Sequence, residues 1–408
     1  MNLTLVMEIV FWGSAFALLY TYVGYPLLLW VVSTVRPRGV KQGPACPSVT
    51  IIITAYNEER DLAAKLENTL LLDYPREQFE IIVASDSSTD STNEIAKEFA
   101  ARGVRLHIQP RRLGKTAAQN AAVEQSRGEI IVFSDATSLY QTSVLRSLMP
   151  NFADATVGCV AGRLIYVDPS DSQVGRGARS YWNYETFLKH HESRAGSLIG
   201  ASGCLYAVRR SAYVPLYPEA CSDFIIATKM VEQGLRAVYE PRAICNEETN
   251  RRVNNEMTMR VRVIAQTFTD LWRHRAMLNP ARSGFYAIQL LSHKVMRYLV
   301  PFFLIAILIA SLALALAATS FVYAGVVIAQ LAFYFGAFSA WVLERFGARS
   351  PLLALPQYFV LANLASLVAC YKFMRGERYA RWEPIREQVA SCTPTSRMSP
   401  EAATFKID

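Results

Sequence analysis

Acidic and hydroxyl side chains follow three predicted strands at the point where each strand ends. The runs are Thr54–Glu58 (TAYNE), Ser85–Ser88 (SDSS) and Ser134–Thr137 (SDAT). In an open α/β sheet, ligands bind beyond the carboxyl ends of the strands. A single aspartate after a strand is commonly a helix cap, but three such runs at one edge favour a ligand site.

Two further charged residues could act on a ligand held there. Lys115 follows Gly114, but the first glycine and the Ser/Thr of a P-loop are missing. Asp223 opens a predicted helix at 223–233, where a carboxylate is commonly a cap. The same carboxylate is also suited to take a proton from a hydroxyl as a general base. From the residues alone the cap is the favoured interpretation.

The elements that would position these residues alternate strands with helices. The predicted strands are Val49–Thr54, Phe79–Ser85, Val104–Ile108, Glu129–Asp135 and Val157–Val167. The predicted helices lie at about 59–72, 91–102, 115–126 and 143–152. This alternation predicts βαβ units and a mostly parallel sheet.

Apolar segments at both ends of the chain predict membrane helices. Ile9–Val32 is almost uniformly apolar and is followed by basic residues 36–38, so we expect its N-terminus outside and the rest of the chain in the cytosol. The net charge of +8 comes from arginines beside the apolar segments, which favours lipid headgroups over nucleic acid as their partner. The seven cysteines include no Cys-x-x-Cys pair, which argues against a disulfide framework or a zinc site.

The C-terminal half offers alternatives that the residues leave open. Met257–Trp272 has apolar positions at helical spacing between arginines, which indicates either an amphipathic helix on the membrane surface or a helix that faces the core. Apolar segments at 298–318 and 320–343 predict a membrane hairpin. The segment 354–373 either crosses the membrane or lies along the interface, since the arginine-rich stretch Tyr371–Arg386, with Trp382, suits the cytoplasmic interface. The last residues, 391–408, have the composition of a disordered tail.

Six stretches, taken in order, resemble the consecutive motifs of family 2 glycosyltransferases. They are Ser48–Glu59, Ile81–Thr92, Leu113–Ala122, Val132–Thr137, Gly200–Arg210 and Cys221–Gly234. The resemblance covers roughly residues 45–275. Within the family, the sequence is most similar to the membrane-integrated branch that contains poly-N-acetylglucosamine, hyaluronan, chitin and cellulose synthases. This resemblance implies an α/β domain of the GT-A fold with flanking transmembrane helices.

The resemblance also implies a donor site for a UDP-sugar. Thr54, Ala55, Tyr56 and Glu58 would form the nucleoside pocket, with Asp86 hydrogen-bonded to the base and Lys115 on the diphosphate. Asp135 occupies the first position of the family's Asp-x-Asp motif and would hold Mg²⁺ or Mn²⁺. Thr137 stands where the second aspartate usually does, so the ion would rest on Asp135, phosphate oxygens and water.

On the acceptor side, Asp223 matches the family's catalytic aspartate, with Ser222 in place of the usual acidic neighbour. Gly200, Ser202 and Gly203 would let the backbone approach the acceptor, although a plain strand-to-turn connection is equally compatible. The family's processive members carry Gln-x-x-Arg-Trp, whereas Met259–Val263 keeps only Arg262, as a diphosphate or gating contact. Lipid-headgroup contact is the alternative for Arg260 and Arg262.

We therefore expect an inverting glycosyltransferase of the inner or plasma membrane that serves a glycan or a lipid-linked acceptor in exopolysaccharide synthesis. Its catalytic domain is expected in the cytoplasm, and membrane or export subunits are among its expected partners. The alternatives are single-sugar transfer to a polyprenyl-phosphate-type lipid and a non-catalytic nucleotide-binding subunit. A transporter is disfavoured, because the apolar segments contain no buried acidic residue and no repeat. The expected units are an N-terminal membrane helix at 1–35, the catalytic domain at 45–245, interfacial helices at 246–297, membrane helices at 298–374, and a basic interfacial segment with a disordered tail at 375–408.

Overall fold

A mixed β-sheet forms the centre of the molecule. The computed structural model describes residues 2–168, 172–250, 252–318, 320–346, 348 and 350–383. The predicted disordered tail at 391–408 lies outside these residues. The strands are β1 (Val49–Ala55), β2 (Phe79–Ser85), β3 (Val104–Ile108), β4 (Ile130–Asp135), β5 (Leu139–Tyr140), β6 (Val157–Val167), β7 (Tyr206–Arg209) and β8 (Arg236–Glu248). Their order in the sheet is β3-β2-β1-β4-β7-β6-β8-β5.

The pairing is parallel on one side of the sheet and mixed on the other. β3, β2, β1 and β4 are parallel neighbours, and β6 is parallel to β8. β7 is antiparallel to both β4 and β6, and β5 is antiparallel to β8. The five predicted strands are present within a residue of their predicted bounds, whereas β7 lies in a stretch for which the sequence predicted no strand.

Helices cover both faces of the sheet and extend beyond it. They are α1 (Leu3–Leu19), α2 (Tyr25–Val35), α3 (Leu62–Leu70), α4 (Thr92–Glu98), α5 (Lys115–Glu124), α6 (Val144–Leu148), α7 (Gln173–Ala195), α8 (Ser222–Glu232), α9 (Val253–Arg273), α10 (Pro280–Ser283), α11 (Phe285–Leu290), α12 (Arg297–Leu316), α13 (Phe321–Arg345) and α14 (Pro351–Met374). Shorter 3₁₀ segments lie at 76–78, 100–102, 149–153, 210–212 and 275–278.

Strand β1 shows why these segments form a central sheet. Ile51, Ile52 and Ile53 are consecutive β-branched residues, and each is 0% exposed. Ile51 and Ile53 join the core cluster that includes Leu62 and Leu66 of α3, while Ile52 joins the cluster on the opposite face. A strand covered by helices on both faces is expected to be continuously apolar, as this one is.

Among the described residues, four helical segments are long and apolar enough to cross a membrane: Leu3–Val35, Phe285–Leu316, Phe321–Arg345 and Pro351–Met374. The first two are interrupted by π-helical turns at Tyr20–Gly24 and Leu291–Met296. The two turns touch, since the Tyr20 hydroxyl lies 2.7 Å from Ser292 Oγ.

Helix α14 packs beside α9 from Tyr358 to Phe373. Near its start, the Tyr358 hydroxyl donates to Glu256 Oε1 at 2.7 Å. Near its end, the rings of Phe373 and Phe268 are 5.7 Å apart. The apolar face of α9 is therefore covered by α14 and by α12, because Val261 and Ala265 pack with Tyr298, Ala365 and Ala369. This face is therefore packed against two helices that could themselves cross a membrane, and the placement of α9 at the membrane interface stays a prediction.

Both ends of α14 also contact elements attached to the sheet domain. The Ser350 N–H before it donates to Gln173 Oε1 at the start of α7, at 3.4 Å. After it, the Tyr379 carbonyl accepts from Gln266 Nε2 of α9, at 2.8 Å.

Candidate active site

Three charged side chains from separate elements converge around Gly203. Asp135 ends β4, Lys115 begins α5, and Asp223 lies in the first turn of α8. A methyl group placed on Gly203 would lie 3.4 Å from Lys115 Nζ and 3.6 Å from both Asp135 Oδ2 and Asp223 Oδ2. Lys115 also forms an ion pair with Asp135. The structure thus brings together the three residues for which the sequence predicted diphosphate, metal and base roles.

The charges in this cluster are strongly coupled. Burial alone lowers the pKa of Lys115, but the carboxylates of Asp135 and Asp223 outweigh burial and leave the pKa above its ordinary value. Arg262 of α9 adds a further cation, whose pKa burial lowers while Cys221, Asp135 and Asp223 oppose that effect. Its Nε is buried and has no hydrogen-bond partner. Arg262 therefore faces the acidic cluster and not lipid headgroups.

Arg260, two residues earlier on α9, does not contact lipid headgroups either. Its Nε pairs with Glu256 Oε1 at 2.8 Å, and its guanidinium lies 4.5 Å from the Tyr181 ring centroid and 4.6 Å from that of Tyr358. The lipid-headgroup alternative for Arg260 is wrong, because packing between α7 and α14 leaves its side chain only 13% exposed.

Glu247 is a site residue that the sequence did not predict. It lies near the end of β8, and its Oε1 accepts a hydrogen bond from Thr137 Oγ1 at 3.3 Å. Burial, followed by the charge of Asp135, raises the pKa of Glu247 to about 7. The acidic pair at 247–248 does carry the signal used for the other strands, an acidic run at a strand end, but β8 was not a predicted strand.

The residues expected to bind the nucleoside lie together after β1 and β2. Thr54 and Ala55 are buried at the end of β1, and the backbone N–H of Glu58 donates to Thr92 Oγ1 at 2.7 Å. The carboxylate of Asp86 accepts from the backbone N–H groups of residues 113 and 114, at 2.8 and 2.9 Å. Burial raises the pKa of Asp86, and these two N–H groups partly offset that rise. Asp86 therefore holds in place the loop that leads to Lys115, and its contact with a base stays a prediction.

A segment after α14 covers the predicted nucleoside pocket. The Arg112 guanidinium lies 3.8 Å from the Tyr56 ring centroid, and the Trp382 ring is 5.9 Å from the same ring. Arg112 also donates to the Trp382 carbonyl and pairs with Glu383 Oε1 at 2.7 Å. The chain turns back after α14 and packs the Trp382 indole against the donor side, and its placement at the membrane interface stays a prediction.

The predicted acceptor turn is held from both sides. The Ala201 N–H donates to the Asp223 carbonyl at 2.8 Å. Lys189 of α7 donates from Nζ to the Ala201 carbonyl at 3.0 Å and to Ser202 Oγ at 2.5 Å. Gly200 lies against Phe224, since a Cβ atom placed on Gly200 would be 3.4 Å from Cδ2 of the Phe224 ring. The sequence did not predict that Lys189 supports this turn.

A cavity of about 1630 Å³ joins these residues to the membrane helices. Lys115, Asp135 and Asp223 line it at the sheet. Tyr22, Phe333 and Phe359, from three of the long apolar helices, line it at the other end. One continuous space therefore extends from the strand ends to the helices that could cross a membrane.

Comparison with known proteins agrees with this architecture. Residues 50–214 match the family model described as Glycosyl transferase family 2. The beta-monoglucosyldiacylglycerol synthase of Nostoc sp. is 30% identical over 217 residues, which are 51% of this chain and 46% of that protein. The N-acetylglucosaminyltransferase of Rhizobium meliloti is 26% identical over 240 residues, which are 55% of this chain and 56% of that protein. The chain spans about half the length of the relatives it matches.

The fold itself is shared with a solved glycosyltransferase structure. Mannosyltransferase PcManGT from Pyrobaculum calidifontis, solved in complex with GDP-Man and Mn²⁺, superimposes with a TM-score of 0.70 at 24% identity. The match covers 90% of this chain and 99% of that one. The chain therefore shares a GT-A-like fold, and its residues 50–214 match the glycosyltransferase family 2 model. Its described residues also include helices long enough to cross a membrane.

Proposed function

We propose that the protein transfers a sugar from a nucleotide-sugar donor to a hydroxyl of a lipid acceptor at the membrane, with inversion at the anomeric carbon. The continuous cavity between the acidic cluster and the apolar helices carries this proposal. A soluble acceptor needs no route between membrane helices, whereas a lipid acceptor must bring its hydroxyl to Asp223 while its chains stay in an apolar environment.

The chemistry assigns one step to each charged side chain. Asp223 accepts the proton of the acceptor hydroxyl as its oxygen attacks the anomeric carbon. The bond from that carbon to the diphosphate breaks on the opposite face, and the nucleoside diphosphate leaves with the electron pair. Lys115 and Arg262 stabilise the negative charge that develops on the leaving group. The proton ends on Asp223 and returns to solvent after the product leaves.

The oxygen donors near Lys115 fit a divalent cation of the Mg²⁺ or Mn²⁺ type. Asp135 supplies carboxylate oxygens, which hard cations prefer. When bound, the ion supplies positive charge to the departing diphosphate. Mn²⁺ and GDP-Man in the mannosyltransferase structure support a metal and a nucleotide-sugar here. They also make GDP-sugars a necessary comparison with the UDP-sugars that the motifs predict.

Two observations favour a lipid acceptor over a growing polysaccharide. Met259–Val263 lacks the Gln-x-x-Arg-Trp signature of the processive family members. The name of the Nostoc relative, beta-monoglucosyldiacylglycerol synthase, denotes a lipid acceptor in that protein. Elongation of an exopolysaccharide is the second candidate, and it would give a ladder of products where the first gives one added sugar.

We place the catalytic domain on the cytoplasmic side, where nucleotide-sugars are made. Basic residues 36–38 follow the first helix, which supports this orientation. The contacts at both ends of α14 support the placement of residues 375–383 on the same side, with α14 along the interface and three crossing segments before it.

The test compares wild type with Asp223→Asn in detergent or vesicles, using radiolabelled UDP- and GDP-sugars, Mn²⁺ and a membrane lipid extract. We expect one labelled lipid product and a loss of transfer of roughly 10²–10⁴-fold in the variant. Nucleotide binding, measured by calorimetry, should be unchanged. Glu219→Gln is the control, because this carboxylate pairs with Arg273 outside the acidic cluster.

Equal transfer by Asp223→Asn and wild type would contradict the role of Asp223. Wild-type protein that binds UDP or GDP but transfers no sugar to any acceptor would instead support a non-catalytic binding subunit.

A further inference from the structure

A carboxylate from a distant strand lies beside the loop after β4. In that loop Asp135 is followed two residues later by Thr137, a hydroxyl residue that cannot supply a charge. Thr137 Oγ1 donates to Glu247 Oε1 at 3.3 Å, although the two residues are 110 positions apart. The loop therefore has a second carboxylate within reach, and it comes from β8.

Strand pairing, not a flexible loop, delivers this carboxylate. Leu139 and Tyr140 of β5 pair antiparallel with Asn246 and Cys245 of β8. Glu247 is the next residue of β8, so the ladder fixes its backbone opposite the residues that directly precede β5. A metal-binding side chain on one of two paired strands is positioned more accurately than one on a loop.

A second observation points to a ligand at the same place. Thr54 is opposite Asp135 in the ladder between β1 and β4 and lines the same cavity. Its side chain is buried, with the residue 3% exposed, and its Oγ1 has no hydrogen-bond partner. A buried hydroxyl without a partner costs free energy unless something else binds it. The Thr54 oxygen is free to bind a hydrated ion or a donor group beside Asp135.

Resting on the proposed function, we propose that Asp135 and Glu247 together bind the divalent cation of the donor complex, with Thr137 orienting Glu247. The second carboxylate of the metal site therefore comes from strand β8, whereas in the family's Asp-x-Asp motif it comes from the loop after β4. Among the described residues, no group of three or more His, Cys, Asp or Glu side chains could hold a metal ion by itself. One or two carboxylates, together with substrate phosphates, are the protein ligands with which Mg²⁺-like ions are usually bound. The site therefore binds the ion tightly only when a nucleoside diphosphate is present.

The test is a Mn²⁺ titration of the purified full-length protein, followed by electron paramagnetic resonance, with and without UDP or GDP. We expect nucleotide to strengthen Mn²⁺ binding in wild type and Glu247→Gln to weaken it by roughly tenfold or more. Thr137→Val keeps the shape but removes the hydroxyl, so it should weaken binding less. Glu129→Gln is the control, because this exposed carboxylate lies at the opposite end of β4.

The double variant Thr137→Asp/Glu247→Gln moves the carboxylate back to the loop, and we expect it to restore most of the Mn²⁺ affinity. The thermal unfolding midpoint of each variant shows whether it is folded. Wild-type Mn²⁺ affinity in folded Glu247→Gln, with sugar transfer intact, would overturn this inference and leave the proposed function standing. Absence of sugar transfer in wild type despite Glu247-dependent Mn²⁺ binding would count against the proposed function alone.

Discussion

Lys65 is a buried cation whose replacement should stabilise the protein. It lies on α3 and is 0% exposed, and its Nζ has no hydrogen-bond partner. The ammonium lies 3.3 Å from the centroid of the Tyr140 ring, which is its main compensating contact. Burial lowers the pKa of Lys65 from 10.5 to about 8. The folded state therefore disfavours the charged form that dominates at pH 7.

The size of the effect follows from this pKa. Each tenfold change in a protonation equilibrium is about 1.4 kcal/mol, so the charged lysine destabilises the fold by about 3 kcal/mol at pH 7. The contact with the Tyr140 ring, worth on the order of 1 kcal/mol, is lost in a variant without the charge. Lys65→Met keeps most of the volume and should therefore stabilise the protein by about 2 kcal/mol.

The pH dependence provides the sharper test. Below about pH 8 the lysine is charged in both the folded and the unfolded chain, so the full destabilisation is present. Between about pH 8 and pH 10.5 the folded protein holds it neutral while the unfolded chain still protonates it, so the destabilisation fades. The advantage of Lys65→Met should accordingly be larger at pH 7 than at pH 9.5.

The assay is thermal unfolding in detergent, in which a gain of about 2 kcal/mol raises the midpoint by roughly 4–8 °C. Lys97→Met is the matched control, because that side chain is 62% exposed and should change the midpoint little. A lower midpoint for Lys65→Met at pH 7, or an advantage that does not shrink at pH 9.5, would refute the reasoning.

Three further predictions concern the site and the topology. Gly203→Ala should fold normally, since its methyl group meets no atom closer than 3.4 Å, but should reduce transfer at least tenfold because it occupies the space between the three charged groups; an active variant would place the substrates elsewhere. Burial raises the pKa of Asp270 to about 8, above its unfolded value, so its stabilising contribution is lost as pH rises from about 4 to 8. The unfolding midpoint of wild type should therefore fall more between pH 6 and pH 8.5 than that of Asp270→Asn, and equal falls would contradict this. A green fluorescent protein fused after residue 408 should fluoresce in cells, because α14 returns the chain to the catalytic side; a dark but full-length fusion would mean that α14 crosses the membrane.

The parts of the fold that depend on local pattern were predictable from the sequence. Val157–Val167 and Phe79–Ser85 have the predicted bounds, because runs of β-branched and apolar residues end at clear turns. Helix α7 was not predicted because its buried face is partly polar, with Glu185, Lys189 and Glu192 all buried. A periodicity of apolar residues cannot reveal such a helix.

Site residues followed the same division. Asp135 and Asp223 could be predicted because each belongs to a motif of consecutive residues in the sequence. Glu247 was not, because its relation to Thr137 exists only through the pairing of β5 with β8. The fold of the segment around Trp382 onto Tyr56 is likewise a long-range contact without a local pattern.

The π-helical turn at Tyr20–Gly24 rotates the second half of the first long helix, about the helix axis, relative to the first half. Before the turn, Phe11 packs with Ile307 and Leu314 of α12; after it, Leu29 packs with Leu188 of α7. A π turn contains one residue more than an α turn, and one residue corresponds to a rotation of about 100° around the helix axis. Deleting a single residue from the turn would shorten the helix by only about 1.5 Å, yet it would swing one of these two faces away from its partner. The number of residues in this segment is therefore constrained more tightly than that of an uninterrupted membrane helix, in which a deletion can be absorbed at either end.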